Sequence, residues 1–469
     1  MSLFYDPKEH VAADFVPFQY EGKYHLFYLT APTDEQADQS PTWHHVVTED
    51  FLVFTEQENV VHAPSVPEKN MYIFTGSVIE HHGTFHMFYT EYSPRTDEEE
   101  MPKNQVVHHA VSADLDNWQA DENFALEAGP GYAKDTWRAP FVFLNPETNE
   151  FNMLLAARQK DGASGHRGCI ALATSSDLES WHVQQPFWAP NMFITHESPN
   201  LFQLGDWWYL VYTTYGREQV VHYRMSRTLQ GPWRVPDKGA LNAGAFYSAK
   251  TAGSGDKRYC FGWLPCKKGG RDSGAWQWGG SLVVSELNQQ KNGQLALTLP
   301  ATMEAHFSRD VQLRPKALLG DWEIEQGNTA YTAAYERFSA LLLGRLPEEC
   351  LLDLDLQISE QTTEAGVLLR ANEKLDWYYQ LHVDRLNQRL RLERWPRPGG
   401  MPFTIERQFT IRPNQPIKLQ LVVDGSRLIV FADDTVMLCG RMYEHKSGNL
   451  ALYVTEGSAT FNTFRLRTP

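Results

Sequence analysis

An aromatic pattern that recurs five times constrains this chain more than any other feature. It reads GKYHLFYL at 22–29, GTFHMFYT at 83–90, EFNMLLAA at 150–157, DWWYLVYT at 206–213 and KRYCFGWL at 257–264. The equivalent residues Tyr24, Phe85, Phe151, Trp208 and Tyr259 follow one another at intervals of 51–66 residues. A second pattern follows each of the first four: HHVVTEDFLVF, HHAVSADLDNW, IALATSSDLESW and VHYRMSRTLQGPW. Each run alternates in polarity, is rich in strand formers and ends in a polar turn before a large apolar residue. One such antiparallel unit is too small to bury its own face, so the units must stack. Radial stacking gives a β-propeller, here with five four-stranded blades. A large β-sandwich with chance similarity is the alternative, and two patterns in matching order speak against it. No long amphipathic helices separate the strands, which disfavours a parallel α/β fold.

The character changes after Pro300. The mixed stretch from Ala301 to about Asn328 reads as a connector. Beyond it come LLDLDLQI, GVLLRAN, WYYQLHVD, LRLERW, IKLQLVVDG, RLIVFADD, LALYV and FNTFRLR, separated by turn residues. Eight short strands without the blade pattern suggest a jelly-roll β-sandwich. The fold class expected is therefore all-β, an N-terminal five-bladed β-propeller followed by a C-terminal β-sandwich. The division expected is propeller 1–300, connector 301–328 and sandwich 329–469.

Asp and Glu number 58 against 42 Lys and Arg, a formal charge of −16. That excludes a general binder of nucleic acid or anionic membranes, which needs a basic face. Cys169, Cys260, Cys266, Cys350 and Cys439 are odd in number and scattered, so neither a disulfide framework nor a zinc site is expected. No apolar run is long enough to span a membrane, and MSLFYDPKEH has no signal-peptide pattern. The expectation is a cytoplasmic protein; the sequence does not give its oligomeric state. The pairs His44-His45 and His108-His109 fall at equivalent places in two repeats and read as structural residues at strand ends, not metal ligands. No cofactor is expected.

The natural site of a propeller is the mouth of its central channel, lined by the first strand of each blade. Acids near those strands are Asp14 in AADFVPF, Asp135 in KDTWRAPFVF and Glu197 in THESPNLF. Equivalent positions in different blades converge on the axis, so carboxylates far apart in sequence meet there. Glycoside hydrolysis needs such a pair: a nucleophile or base, and an acid to protonate the leaving oxygen.

These segments resemble the fructan-cleaving glycoside hydrolases of family thirty-two (invertase, inulinase and levanase type) and, more distantly, the arabinan- and xylan-cleaving family forty-three. AADFVPFQYEGKYHLFYL is similar to the NDPNG motif and its following strand. FTGSV at 74–78 resembles FSGSA, WRAPFVF resembles the RDP motif, and HESPNLF resembles the ECP motif. NAGAFYSAKT at 242–251 is similar to DxGxDFYAxQ-like segments, WQWGGSLVVSEL to the stretch closing the last blade, and VVDGSRLIVFADD to the trailing sandwich. No motif is intact; order and spacing carry the likeness. The resemblance implies Asp14 as nucleophile, Glu197 as general acid/base, and Arg138, Trp43, Phe74 and Thr75 as the lining of a sugar pocket. Arg138 would hold hydroxyls with its planar fork.

The departures are specific. The family's third acid falls at Ala139, the Asn before the nucleophile at Ala13, the Asp of the DFYA-like segment at Ala245, and a Gln at Leu29. Asp135 shares strand parity with Ala139 and would face the channel if the segment stays extended; the alternative is that it caps a loop.

The reading that results is a metal-independent glycosidase acting on a small carbohydrate, a furanoside or related oligosaccharide. One rival is an inverting arabinan/xylan-type enzyme; another is a catalytically degenerate carbohydrate-binding protein, supported by Ala139. The family likeness implies retention, with the Asp14 and Glu197 carboxyl groups about 5–5.5 Å apart, against about 6.5–9.5 Å for inversion. The sandwich is expected to brace the propeller, with sugar binding through Trp377, Tyr378 and Tyr379 the alternative.

Overall fold

The fold was analysed in a computed structural model that describes residues 3–8, 10–32, 42–57, 72–92, 104–214, 220–237, 239–242, 244–325, 328–397 and 405–469. The chain is built almost wholly of antiparallel strands. Four repeats follow the expected order of inner strand, aromatic strand, third strand and short edge strand. The first is His10–Tyr20, Lys23–Pro32, Thr42–Thr48 and Thr55–Glu56. The second starts at Tyr72–His81, the third at Tyr132–Leu144 and the fifth at Tyr247–Ser254. The fifth sheet touches the first through the pair Ala12↔Gly280, which closes the ring. The all-β propeller-plus-sandwich expectation is met.

The fourth sheet departs from the expected four strands. It holds Glu197–Leu204, Trp207–Thr214 and Val220–Ser226, and among the described residues its outer edge carries two isolated bridges, His222↔Ala240 and Met225↔Arg234, in place of a fourth strand. Pro232 and Pro236 flank Arg234 and have no N–H to donate to a ladder.

The repeated turn has a repeated cause. Ser112 Oγ accepts the N–H of Leu115 at 3.0 Å, and Ser175 Oγ that of Leu178 at 2.9 Å. Asp114 and Asp177 each accept a backbone N–H three residues on at 2.8 Å. Trp118 and Trp181 each donate Nε1–H to the carbonyl of that Leu. The aromatic strands then supply the glue between sheets: Tyr20 meets Phe85 edge-on at 4.9 Å, Phe88 meets Trp181 at 5.5 Å, and Tyr24 meets Tyr259 at 5.5 Å across the ring closure.

The paired histidines belong to this packing. His45 Nε2 is 3.1 Å from His25 Nδ1 and its ring stacks on Phe27; His109 repeats both contacts with His86 and Phe88.

After Pro300 a single helical turn, Ala301–His306, leads into two packed sheets. The stretch expected as connector also contributes short strands to them. Arg309–Asp310 and Trp322–Glu325 join one sheet, and Lys316–Leu319 joins the other. The sandwich is fastened to the propeller by buried arginines. Arg441 donates to the carbonyls of Pro265 and Leu264, and Arg407 to that of Asn242. Buried residues from the first and fifth sheets and from the sandwich form one continuous core.

Candidate active site

Every inner strand breaks its ladder near the axis, and the third does so a second time further back. The register shifts fall between Ala13 and Val16, Phe74 and Gly76, Arg138 and Phe141, Glu197 and Asn200, and Tyr247 and Lys250. The bulged residues are Asp14, Thr75, Ala139, Ser198 and Ser248. Four of these five are left-handed: Asp14 φ 52°, Ala139 φ 53°, Ser198 φ 47° and Ser248 φ 49°. Bulges re-aim side chains beside active sites, and a left-handed non-glycine residue stores strain that the surroundings must hold. All five line one cavity of about 390 Å³.

Asp14, Glu197, Arg138, Phe74 and Thr75 share that cavity. Asp14 and Glu197 do not occupy matched positions, however. Asp14 is a bulge residue, whereas Glu197 precedes its bulge, as Arg138 and Phe74 precede theirs. Ser198 is the fourth-sheet counterpart of Asp14.

Two expected residues lie elsewhere. Asp135 does not line the cavity: its side chain is 53% exposed and sits 4.0 Å from Arg158. The segment before Arg138 belongs to the strand but loses its register, because between the pairs Trp137↔Ala157 and Tyr132↔Gln159 four residues of one strand face one of the other. The parity that linked Asp135 to Ala139 is lost there. Trp43 also fails to line the cavity. It is 1% exposed and packs against Phe27 and Tyr89, while its ladder partner Leu29 reaches the cavity wall.

Glu197 is gripped by Arg138 through two bonds, Nε to Oε2 at 2.8 Å and Nη2 to Oε1 at 2.5 Å. Gln105 holds the same arginine in place: its Oε1 accepts Arg138 Nη1 at 3.1 Å and the N–H of Trp137 at 2.8 Å. Asp14 Oδ1 faces Trp263 Nε1 at 3.3 Å, and the Asp14 carbonyl accepts Thr75 Oγ1–H at 3.0 Å. Burial pushes the Asp14 carboxyl above its usual range. Ser248 through a hydrogen bond, the Lys250 charge and the Trp263 N–H pull it back, and the Glu197 charge adds to the rise. Ser198 and Ser248 share a hydrogen bond at 2.8 Å.

The aromatic wall was only partly legible. Phe74 stacks on Tyr92 at 5.5 Å, Tyr247 lies edge-on to Trp263, and Trp278 stands 40% exposed beside Trp263. Flat rings beside hydroxyl-binding groups suit a sugar, which has apolar faces and polar edges. Tyr247 and Trp278 fall in the segments NAGAFYSAKT and WQWGGSLVVSEL, so their place in the repeat was the available signal; Gln105 and Tyr92 gave none. His196, next to Glu197 in sequence, points away from the cavity. It is boxed by Trp188, Phe193 and Tyr212, and burial pushes its ring down to about 3. Among the described residues no group of three or more His, Cys, Asp or Glu side chains is arranged to hold a metal.

Residues 6–297 match the N-terminal domain of glycosyl hydrolases family 32, and residues 324–468 match the C-terminal domain of that family. The chain is 20% identical to a sucrose-6-phosphate hydrolase of Escherichia coli, over 94% of this chain and 88% of the relative. Its fold is similar to an exo-inulinase from Aspergillus awamori, with TM-score 0.76, 17% identity and coverage of 100% and 99% of the two chains. It is similar to fructan 1-exohydrolase IIa from Cichorium intybus in complex with 1-kestose, with TM-score 0.76, 16% identity and coverage of 100% and 97%. With both family domains matched in order, the chain belongs to glycosyl hydrolase family 32 and is a glycosidase of that fructofuranoside-cleaving class.

Proposed function

We propose that the cavity holds a terminal β-fructofuranosyl unit and cleaves its glycosidic bond with retention. The carrying observation is that Asp14 and Glu197, from opposite parts of the repeat array, line one aromatic-walled cavity with Arg138 and Gln105. In this reading the Asp14 carboxylate attacks the anomeric carbon, and Glu197 gives its proton to the leaving oxygen. Water then enters, Glu197 takes its proton, and the fructosyl–Asp14 bond breaks. The Glu197 oxygen that donates must face the leaving group and not the guanidinium, so substrate hydroxyls take over part of the Arg138 fork. The names of the similar proteins, which act on sucrose 6-phosphate, inulin and fructan, support a fructosyl substrate.

The site belongs to propeller residues 1–300, with 301–328 joining them to a bracing sandwich at 329–469. The five free cysteines, four of them buried, fit a reducing cytoplasm. One observation favours a second reading, a sugar-binding protein with little turnover: Ala139 stands where the family likeness implies a third acid.

Hydrolysis of sucrose, inulin and levan oligomers and nitrophenyl furanosides tests both. Turnover should fall by about 10²–10⁴-fold in Glu197→Gln, and the first-formed anomer in NMR should show retention. Full activity in both Asp14→Asn and Glu197→Gln places the chemistry elsewhere. Sugar binding without turnover in the unaltered protein selects the binding reading, and an inverted product the arabinan-type mechanism.

A further inference from the structure

Lys250 lies just past the bulge of the fifth inner strand and has no part in the reading above. The register resumes at Lys250↔Phe261, after Ser248 has been turned into the cavity. The lysine is 2% exposed. Its Nζ donates to Thr75 Oγ1 at 2.7 Å and to the carbonyl of Gly76, both on the second inner strand. Thr75 in turn donates to the carbonyl of Asp14 on the first. One side chain thus connects three inner strands at the floor of the cavity.

The contacts of this amine are neutral oxygens; among the described residues no carboxylate lies within ion-pairing distance of it. A buried cation without a contacting anion is expensive to keep, and such violations concentrate at functional sites. The opposite charge it feels is that of Asp14. Burial pushes the amine down to about 7 while Asp14 pulls it up. The other charged groups on the cavity wall are Glu197 and Arg138, which hold each other. Each of the two carboxylates therefore has its own cation: Glu197 has Arg138 by contact, and Asp14 has Lys250, whose charge acts on it without contact.

We propose that Lys250 is a positioning residue of this centre: it fixes the Asp14 backbone through Thr75, and its charge keeps the Asp14 carboxyl ionised for attack. The second half rests on Asp14 being the nucleophile.

Lys250→Gln separates charge from hydrogen bonding, because the amide still offers an N–H to Thr75 and Gly76. Lys250→Met removes both and serves if the glutamine variant fails to fold. Two readouts are needed: the pH profile of kcat/KM, and the titration of the Asp14 carboxyl by carbon NMR of aspartate-labelled full-length protein, assigned with Asp14→Asn. Loss of the cation leaves the carboxylate less favoured, so the Asp14 midpoint and the acid limb should both move up by about one pH unit. Lys250→Met should in addition lower kcat further than Lys250→Gln. An Asp14 midpoint unmoved in both variants overturns the inference. The NMR midpoint is read without substrate, so it stands apart from the nucleophile assignment, which the turnover of Asp14→Asn decides.

Discussion

Arg138 and Glu197 are joined by two N–H···O bonds, one to each carboxylate oxygen, between the inner strands of the third and fourth sheets. The arrangement needs a planar fork, and Gln105 orients it from behind. A lysine reaches one oxygen only and has no plane to match a carboxylate. Arg138→Lys should therefore leave the fold unchanged but let Glu197 drift from the leaving oxygen. A misplacement of that kind lowers kcat/KM on the order of 10²-fold. Steady-state kinetics on sucrose or an aryl fructoside checks it, and a variant within twofold of the parent would show that the fork does not orient the acid.

Ala139 is the bulge residue of the third sheet, the counterpart of Asp14, and lies 1% exposed on the cavity wall. Its φ of 53° disfavours alanine and is better tolerated by aspartate. The backbone thus already has the conformation an acid would take there. Ala139→Asp should fold and should raise turnover of fructosides by about tenfold or more, because charge aimed at the developing cation stabilises the transition state. Unchanged or reduced kcat in a folded Ala139→Asp protein would mean that the site has been rebuilt around the missing acid.

The repeat made the ring of sheets legible because five aromatic strands must pack against their neighbours, and Tyr24 meeting Tyr259 is that requirement closing on itself. The cavity was legible in part for the same reason: inner strands converge on the axis, so Asp14 and Glu197 meet, and the family likeness added Arg138, Phe74 and Thr75. What spacing did not carry was the bulges. Alternation assigns faces only while a strand stays regular. The interrupted register before Arg138 therefore put Asp135 outside, and a second break at Ala139 turned that residue inward. The family likeness alone puts Trp43 at the wall; here its ladder partner Leu29 lines the cavity and the indole is buried against Phe27 and Tyr89. Lys250 lies in the segment NAGAFYSAKT, and what distinguishes it there is its burial, which the sequence pattern does not carry.

Trp278 stands at the cavity mouth, 40% exposed, beside Trp263 at 6.2 Å between ring centroids. It touches none of the groups that would carry protons. Trp278→Ala should raise KM by about tenfold, equal to about 1.4 kcal/mol of lost binding, and leave kcat within a small factor. Longer fructans should suffer more than sucrose if the ring supports the second sugar unit. Equal kinetics on all substrates would remove Trp278 from the binding surface.

Asp272, in the loop just before the Trp276–Gln289 strand that carries Trp278, joins the two halves of the molecule. It is 1% exposed. Its carboxylate accepts the Tyr379 hydroxyl at 2.5 Å, Arg394 Nη1 at 3.2 Å and the Tyr443 N–H at 2.9 Å, all from the sandwich. Burial pushes this carboxyl up, but the hydrogen bonds with Glu444, Tyr379, Tyr443 and Arg394 outweigh it and hold Asp272 below the usual range. Glu444 is driven the opposite way, by burial first. An acid depressed on folding adds stability above its unfolded value, about 3.9, and that stability is lost as pH falls through the lower, folded value. Asp272→Asn should therefore destabilise the protein by about 3 kcal/mol at pH 7. This is the low end for breaking a buried pair, because Arg394 keeps Glu444 at 3.1 Å. Below about pH 4 the gap between variant and parent should narrow as the parent's own carboxyl is protonated. Denaturant unfolding followed by tryptophan fluorescence at a series of pH values measures both. A gap that stays constant down to acid pH would show that the carboxyl's charge is not what fastens the sandwich to the propeller.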